Sequence, residues 1–361
     1  MNASPVISHP VITLKSDVTL RTIGARHFLG LPNRGIFIDD PLHLMICRQL
    51  DGTLTAAQIA VGLKCEPYAV DTLIGALLDS ELIDLLPPQS EGQRKSSAKD
   101  FSQQYIATRK APELALASHR PGNMDGGNLE FENRGQATIL ISGENRLARN
   151  LLVALHASGF TQTRLIPRAK LSRRIEPDDV CGIVVQSADI GRSREDFMRE
   201  TIRNSQITRG AEFEKINSDG VGSLAYVAKS KPDLIISTVA IEWDYVQRWQ
   251  SEGTRYLHLN TLIGGTLEVG PFVIPGESPC LRCVSLTKRE NGIDTSLEFI
   301  RKEVPTAVAI YMAGLLTLAV GQYFATGNCD LIASSLWYDM HNPMRPAEQR
   351  YWSFHGSCGC R

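Results

Sequence analysis

Ala137-Thr138-Ile139-Leu140-Ile141-Ser142-Gly143 is the stretch that decides how this chain folds. Its run of apolar residues carries no charge and no polar alternation. That is the pattern of a strand covered on both faces, as in a parallel sheet. Helical spacing follows from Leu147 to Ser158, and Gly159 to Ile166 returns as a second strand. Strand, glycine, helix, strand is the start of a βαβ unit, and Pro232-Asp233-Leu234-Ile235-Ile236-Ser237-Thr238 is a later strand of the same kind. Next come the extended run Tyr256-Leu257-His258-Leu259-Asn260 and the turn Gly270-Pro271-Phe272-Val273-Ile274-Pro275-Gly276. The C-terminal part is therefore expected to be α/β and Rossmann-like.

That turn leads into Cys280-Leu281-Arg282-Cys283, and the end of the sequence carries Cys358-Gly359-Cys360. Two close pairs so far apart meet only if the fold returns the last residues onto the 280 region. A tetrahedral Zn²⁺ held by four thiolates is the usual reason to do that. Two other readings stand beside it. One is unpaired core cysteine, the reading assigned to Cys47, Cys65, Cys181 and Cys329. The other is a redox CxxC, which would sit at a helix start, whereas this pair follows a strand-like run and Pro279. The expectation is structural zinc on Cys280, Cys283, Cys358 and Cys360, with no coordination position open for chemistry.

At 361 residues the chain has room for two domains. A net charge of −1 with 21% charged residues gives no long-range field towards nucleic acid. Met1-Asn2-Ala3-Ser4-Pro5 has neither a basic region nor an apolar core, so no signal peptide is read. With reduced thiols, this points to the cytoplasm. Val304 to Cys329 contains no charged residue, but Pro305, Thr306, Gly314, Thr317, Gln322 and Gly327 dilute it. A buried core helix, and no membrane span, is expected there.

The N-terminal part is divided off as residues 1–90, with a linker over 91–130 and a second domain over 131–361. The linker reading rests on Pro87-Pro88-Gln89-Ser90, the polar run Arg94 to Gln104 and the Gly/Asn-rich Pro121 to Asn128, with a short helix around Tyr105 to Ala117. Before it, Val11–Leu14, Thr19–Ile23 and Gly35–Ile38 read as strands. Three helices follow. The first carries Leu42, Met45, Ile46 and Leu50. The second runs from Ala56 to Leu63 behind a Thr55 cap. The third starts at Glu66-Pro67 with Val70, Leu73, Ile74, Leu77 and Leu78 on one face. This describes a winged helix-turn-helix. DNA binding is not expected, because the third helix offers Glu66, Asp71, Asp79 and Glu81, with only Lys64 before it as a base. A peptide added as a strand along Ile36-Phe37-Ile38 suits these residues better.

The pattern Asp51-Gly52-Thr53 … Ile59-Ala60 … Val70 … Leu73 … Leu77-Leu78 … Leu82-Ile83 resembles the PqqD-like recognition element of enzymes that modify ribosomally made peptides. The resemblance implies a leader peptide paired with the third strand and packed on the third helix, touching Ile36, Phe37, Ile38, Val70, Leu73 and Leu77. From about 130 to 361, the strand-Gly-helix-strand start, Gly-Pro-x-x-x-Pro-Gly before CxxC and the terminal cysteine pair resemble the ubiquitin-activating-enzyme-like (ThiF) family. Within that family it is similar to the ThiF-like subunits of azole-forming cyclodehydratases. Such subunits present a precursor peptide to a YcaO-type, ATP-using enzyme, which converts Cys, Ser or Thr to azolines. The resemblance implies a non-catalytic scaffold and a homodimer.

Three departures from the ThiF pattern bear on mechanism. The phosphate-holding turn reads Gly143-Glu144-Asn145-Arg146-Leu147-Ala148, with one glycine and an acid where phosphates would lie. The second strand ends Leu165-Ile166-Pro167-Arg168 without the acid that grips ribose. Val239-Ala240 stands where an acid would hold Mg²⁺. ATP binding is therefore not expected, and Arg146, Arg173 and Arg174 read as solvated surface. His258 and His355 read as structural, with His355 close enough in sequence to Cys358 to support a metal site. Trp243, Trp249 and Trp337 read as core or interface. The alternative kept open is an active ThiF-type adenylyltransferase that activates a peptide carboxyl group.

Overall fold

The computed structural model describes residues 9–88, 101–166, 174–181, 183–207, 231–239, 243–263, 265–293 and 304–360. They form two compact units, Met1–Glu132 and Asn133–Arg361.

The first unit contains β1 (Val11–Leu14), β2 (Thr19–Ile23), β3 (Arg26–Leu31), β4 (Arg34–Ile38), α1 (Pro41–Cys47), β5 (Asp51–Thr55), α2 (Ala56–Leu63), α3 (Pro67–Asp79), β6 (Ile83–Leu86) and α4 (Phe101–Ser118). Two antiparallel three-stranded sheets result, ordered β5-β1-β6 and β2-β3-β4. Local chemistry sets the helix starts. Asp40 accepts the Leu42 N–H ahead of Pro41, and Thr55 and Gln58 cap α2 reciprocally. Lys64, at φ 53°, ends α2. The core joins Ile12, Leu29, Ile38, Ile46, Ile59, Val70, Leu73 and Leu77 across both sheets and all three short helices.

The strand β3 was not read from sequence. Leu29 and Gly30 are adjacent and both buried, so the strand lacks two-residue alternation. It is nonetheless the centre of its sheet. Gly30 opposes Gly35 across the β3–β4 pair, and the Phe28 ring lies where a Gly35 side chain would be.

Residues 101–127, within the stretch read as linker, are fastened to this unit. Lys15 is buried and stands 3.1 Å from Asp84. Its ammonium also donates to the carbonyls of Ser118 and Asn123, and the Ser118 hydroxyl donates to Asp84 at 2.6 Å. One buried ion pair thus ties the end of α4 and the following turn to β1 and β6.

In the second unit, after α5 (Asn128–Gln136), the sheet is seven-stranded, in the order β13-β12-β11-β10-β9-β7-β8. The strands are β7 (Thr138–Ser142), β8 (Gln162–Ile166), β9 (Leu234–Ser237), β10 (Tyr256–Ile263), β11 (Thr266–Val273), β12 (Ser334–Asp339) and β13 (Glu348–Tyr351). From β8 to β10 neighbours are parallel, and from β10 to β13 they are antiparallel. The helices are α6 (Arg146–Ala157), α7 (Arg194–Ser205), α8 (Trp243–Ser251), α9 (Leu281–Glu290) and α10 (Thr306–Thr326). The helix α10 has the length and apolarity to cross a membrane. In this fold Ala309, Met312, Ala313, Leu316 and Val320 instead pack with Ile139, Ile141, Leu151 and Leu155 in the main core. Its other side is apolar too, and Ile310, Tyr311 and Leu318 are exposed there, so the helix is buried along one side only rather than throughout.

Candidate functional site

The four cysteines converge. Cys280 caps α9 and Cys283 lies one turn further in, which puts both sulfurs on one side of the helix start. Gly359, at φ 69°, turns the chain so that Cys358 and Cys360 face the same point. Sγ separations are 3.4 Å for Cys280–Cys358, 3.3 Å for Cys283–Cys360 and 4.0 Å for Cys280–Cys283, and all four sulfurs lie within 4.8 Å of one another. A tetrahedral ion with metal–sulfur bonds of about 2.3 Å sets sulfurs roughly 3.8 Å apart. A disulfide would need about 2.05 Å, and all four are free thiols. The His355 N–H donates to Cys283 Sγ at 3.3 Å. The Ser357 N–H donates to His355 Nδ1, so Nε2 carries the proton shared with Glu290 at 2.8 Å. His355 thus braces the loop that delivers Cys358. Cys280 does sit at a helix start, so position alone no longer argues against a redox pair. The arrangement of four sulfurs about one centre is what favours a metal such as zinc.

The β7–α6 turn is built differently. Gly143 has φ 125°, and a Cβ there would collide with Thr238 Oγ1 and lie 2.9 Å from Val239 Cγ1. The glycine therefore serves close packing against the end of β9. Asn145 locks the turn, accepting the Ala148 N–H at 2.9 Å and donating to the Thr238 carbonyl at 2.8 Å. Beside it lies a buried charge cluster that sequence reasoning missed. Arg149 donates to Asp179 at 2.7 Å, and Arg194 reaches the other Asp179 oxygen at 2.7 Å. Glu144 Oε2 stands 4.0 Å from Arg194 Nε. Burial pushes the Asp179 carboxyl up, but Arg194, the Glu176 N–H and Arg149 together hold it below the usual carboxylate range. Burial raises Glu144, with Arg194 and Arg149 opposing. One signal for this cluster was present in the sequence: Arg149 lies amid Leu147, Ala148, Leu151 and Leu152, a place where an arginine needs a buried counter-ion. Arg174 donates to the Gly191 carbonyl at the surface. Arg168, Arg173 and Ala240 lie outside the described residues.

The third place is β4. It is the outer strand of its sheet, and among the described residues nothing pairs with its far side. Ile36 is half-buried, Phe37 is 45% exposed and Ile38 is buried. Phe37 packs edge-on against Phe28, with the Arg26 guanidinium 4.2 Å above its ring. Arg34, at the start of β4, pairs with Glu81 at 2.6 Å and approaches His119 at 3.2 Å, closing that end. On α3, Val70, Leu73 and Leu77 all face the core, while Tyr68, Asp71, Thr72, Ala76 and Asp79 face outwards. The fold thus brings five of the six expected contact residues into the core of this unit, with Val70, Leu73 and Leu77 buried there, and leaves Phe37, outside that cluster, and half of Ile36 accessible. Trp249 is buried, Trp243 is half-exposed, and Trp337 carries Arg350 at 3.7 Å.

No protein-family model and no curated protein matches the sequence. Solved structures do share its fold. E. coli MccB with AMPCPP and MccA superposes with a TM-score of 0.64 at 11% identity, over 97% of this chain and 99% of that one. E. coli MccB with ATP gives 0.63 at 12% identity, over 97% and 99%. PaaA gives 0.61 at 14% identity, over 94% and 100%. At such identities the likeness establishes a shared α/β fold along nearly the whole chain.

Proposed function

We propose that this chain binds the leader of a ribosomally made precursor peptide and presents its core to a partner enzyme. The observation that carries the proposal is the unpaired edge of β4 with Phe37 exposed on it, in a fold that MccB also has and in which MccB was solved with its peptide MccA. An extended peptide would gain main-chain hydrogen bonds along Arg34–Ile38 and apolar contact with Ile36 and Phe37. Residues 1–90 would be the PqqD-like recognition domain, linked through 91–130 to a ThiF-like domain over 131–361. The cysteine cluster would hold a structural zinc. A YcaO-type cyclodehydratase is the proposed partner, and a cytoplasmic homodimer the proposed state. The chain would act by tethering, which raises the peptide's effective concentration at the partner's site.

Fluorescence anisotropy of a labelled leader peptide, titrated with the full chain without ATP, tests the reading. Saturable binding at micromolar levels is expected, weakened at least about tenfold by Phe37→Asp. Phe37 is the informative position because Leu73, at 4% exposure, cannot be made charged without breaking the core. An absence of binding up to about 100 μM, some 5.5 kcal/mol, would remove the proposal for that peptide.

A second reading, ATP-dependent activation of a peptide carboxyl group, draws on the fold shared with MccB solved with ATP. Peptide-dependent release of pyrophosphate from ATP would establish it in place of the scaffold role.

A further inference from the structure

The crevice at the β7–α6 turn is where a parallel α/β sheet ordinarily meets a polyanion. It lies at the carboxyl end of the first strand and the amino end of the first helix. In this chain that place is already charge-complete. Glu144 and Asp179 face Arg149 and Arg194, two acids and two bases, each side chain nine-tenths buried or more. Among these four side chains the charges cancel, and so little water reaches them that the pairing is weakly screened. The space over Gly143, where backbone would approach a ligand, holds Thr238 and Val239. The decisive atom is Glu144 Oε2. It is buried, accepts no hydrogen bond among the described residues, and stands 4.0 Å from Arg194 Nε. A desolvated carboxylate oxygen without a donor costs stability, so packing alone does not account for it.

We propose that Glu144 is a built-in counter-anion for Arg194: it takes the position of a nucleotide phosphate and closes the crevice to polyphosphates, so that neutralising it creates an anion site. The residues present do not fit ATP, and a single carboxylate is the main reason. The inference is independent of the peptide-binding reading, since it concerns a different unit and a different ligand.

Isothermal titration calorimetry of the full chain with ATP and with inorganic tripolyphosphate tests it, using wild type, Glu144→Gln and Glu144→Ala. Wild type should show no saturable heat up to about 1 mM of either. Both variants should bind both anions at least about tenfold more tightly, with circular dichroism and melting unchanged or improved. The gain should disappear in Glu144→Gln combined with Arg194→Gln. Wild-type binding of ATP at micromolar levels would overturn the proposal and favour adenylation. So would folded variants that gain nothing, or variants that gain ATP but not tripolyphosphate. Loss of the fold in both single variants would also overturn it, because the carboxylate would then be structural.

Discussion

The cysteine cluster and the β7–α6 turn lie in the same unit and are both densely packed with polar groups, yet they are opposite constructions. At the first, four sulfur donors converge within 4.8 Å. At the second, two carboxylates meet two guanidiniums and the backbone is capped by Asn145. Sulfur donors gathered about one point offer the ligand set that a metal ion from outside would take. Charges answered from within imply that nothing is needed. The α/β fold shared with MccB therefore does not fix which corner binds a ligand. The local charge ledger does that.

The largest effect should come from breaking the first corner. Cys280→Ser with Cys358→Ser should release one equivalent of metal per chain and unfold the second unit. Structural zinc commonly supplies on the order of 10 kcal/mol to a small site. Elemental analysis and thermal melting read both effects. A double variant that kept its melting temperature would show the cluster to be four packed thiols. Chelator treatment of the wild type should reproduce the loss.

A smaller effect should come from unbalancing the second corner. Asp179→Asn leaves Arg149 and Arg194 buried without their shared carboxylate, which typically costs about 3–5 kcal/mol. Urea unfolding should show a lower midpoint with the slope unchanged. A shift below about 1 kcal/mol would mean that solvent reaches the guanidiniums, which would weaken the contrast between the two corners.

Both corners differ in how far the sequence announced them. The βαβ start, the Thr55 cap, the core-facing side of α10 and the cysteine spacing are patterns of residue type and spacing, and the structure places each where those patterns put it, though α10 is buried on one side only. The Lys15–Asp84 pair was not legible, and of the Arg149–Asp179–Arg194 cluster only Arg149, set among apolar residues, gave a sign. Their members come from distant segments, and a charge carries no mark of where its partner lies. The strand β3 was hidden for another reason: paired glycines with Phe28 folded over them replace the alternation on which strand reading depends. The contact residues on α3 were legible as an apolar face, but an apolar face looks the same in sequence whether it meets a peptide or the core.

The smallest effect concerns how the second corner is held from behind, and it comes from pH. His156 lies near the end of α6, the helix that starts at the β7–α6 turn, and is 1% exposed. Its Nε2 donates to the Thr163 carbonyl at 3.0 Å, which fixes the neutral tautomer, and the Gln206 amide lies 3.4 Å from Nδ1. Burial lowers its pKa from 6.5 to about 4, with the Thr163 carbonyl opposing. The unfolded chain therefore takes up a proton at this site between pH 6.5 and 4 while the folded chain does not, so stability falls with acid across that window. At 1.36 kcal/mol per unit the loss approaches about 3 kcal/mol near pH 4. His156→Gln, which keeps a donor for Thr163, should flatten that part of the stability curve and leave stability at pH 8 within about 1–2 kcal/mol of wild type. Denaturant unfolding at pH 8, 6 and 5 decides it. A variant whose acid sensitivity matched the wild type would place the titrating group elsewhere, with the carboxylates of the charge cluster first in line.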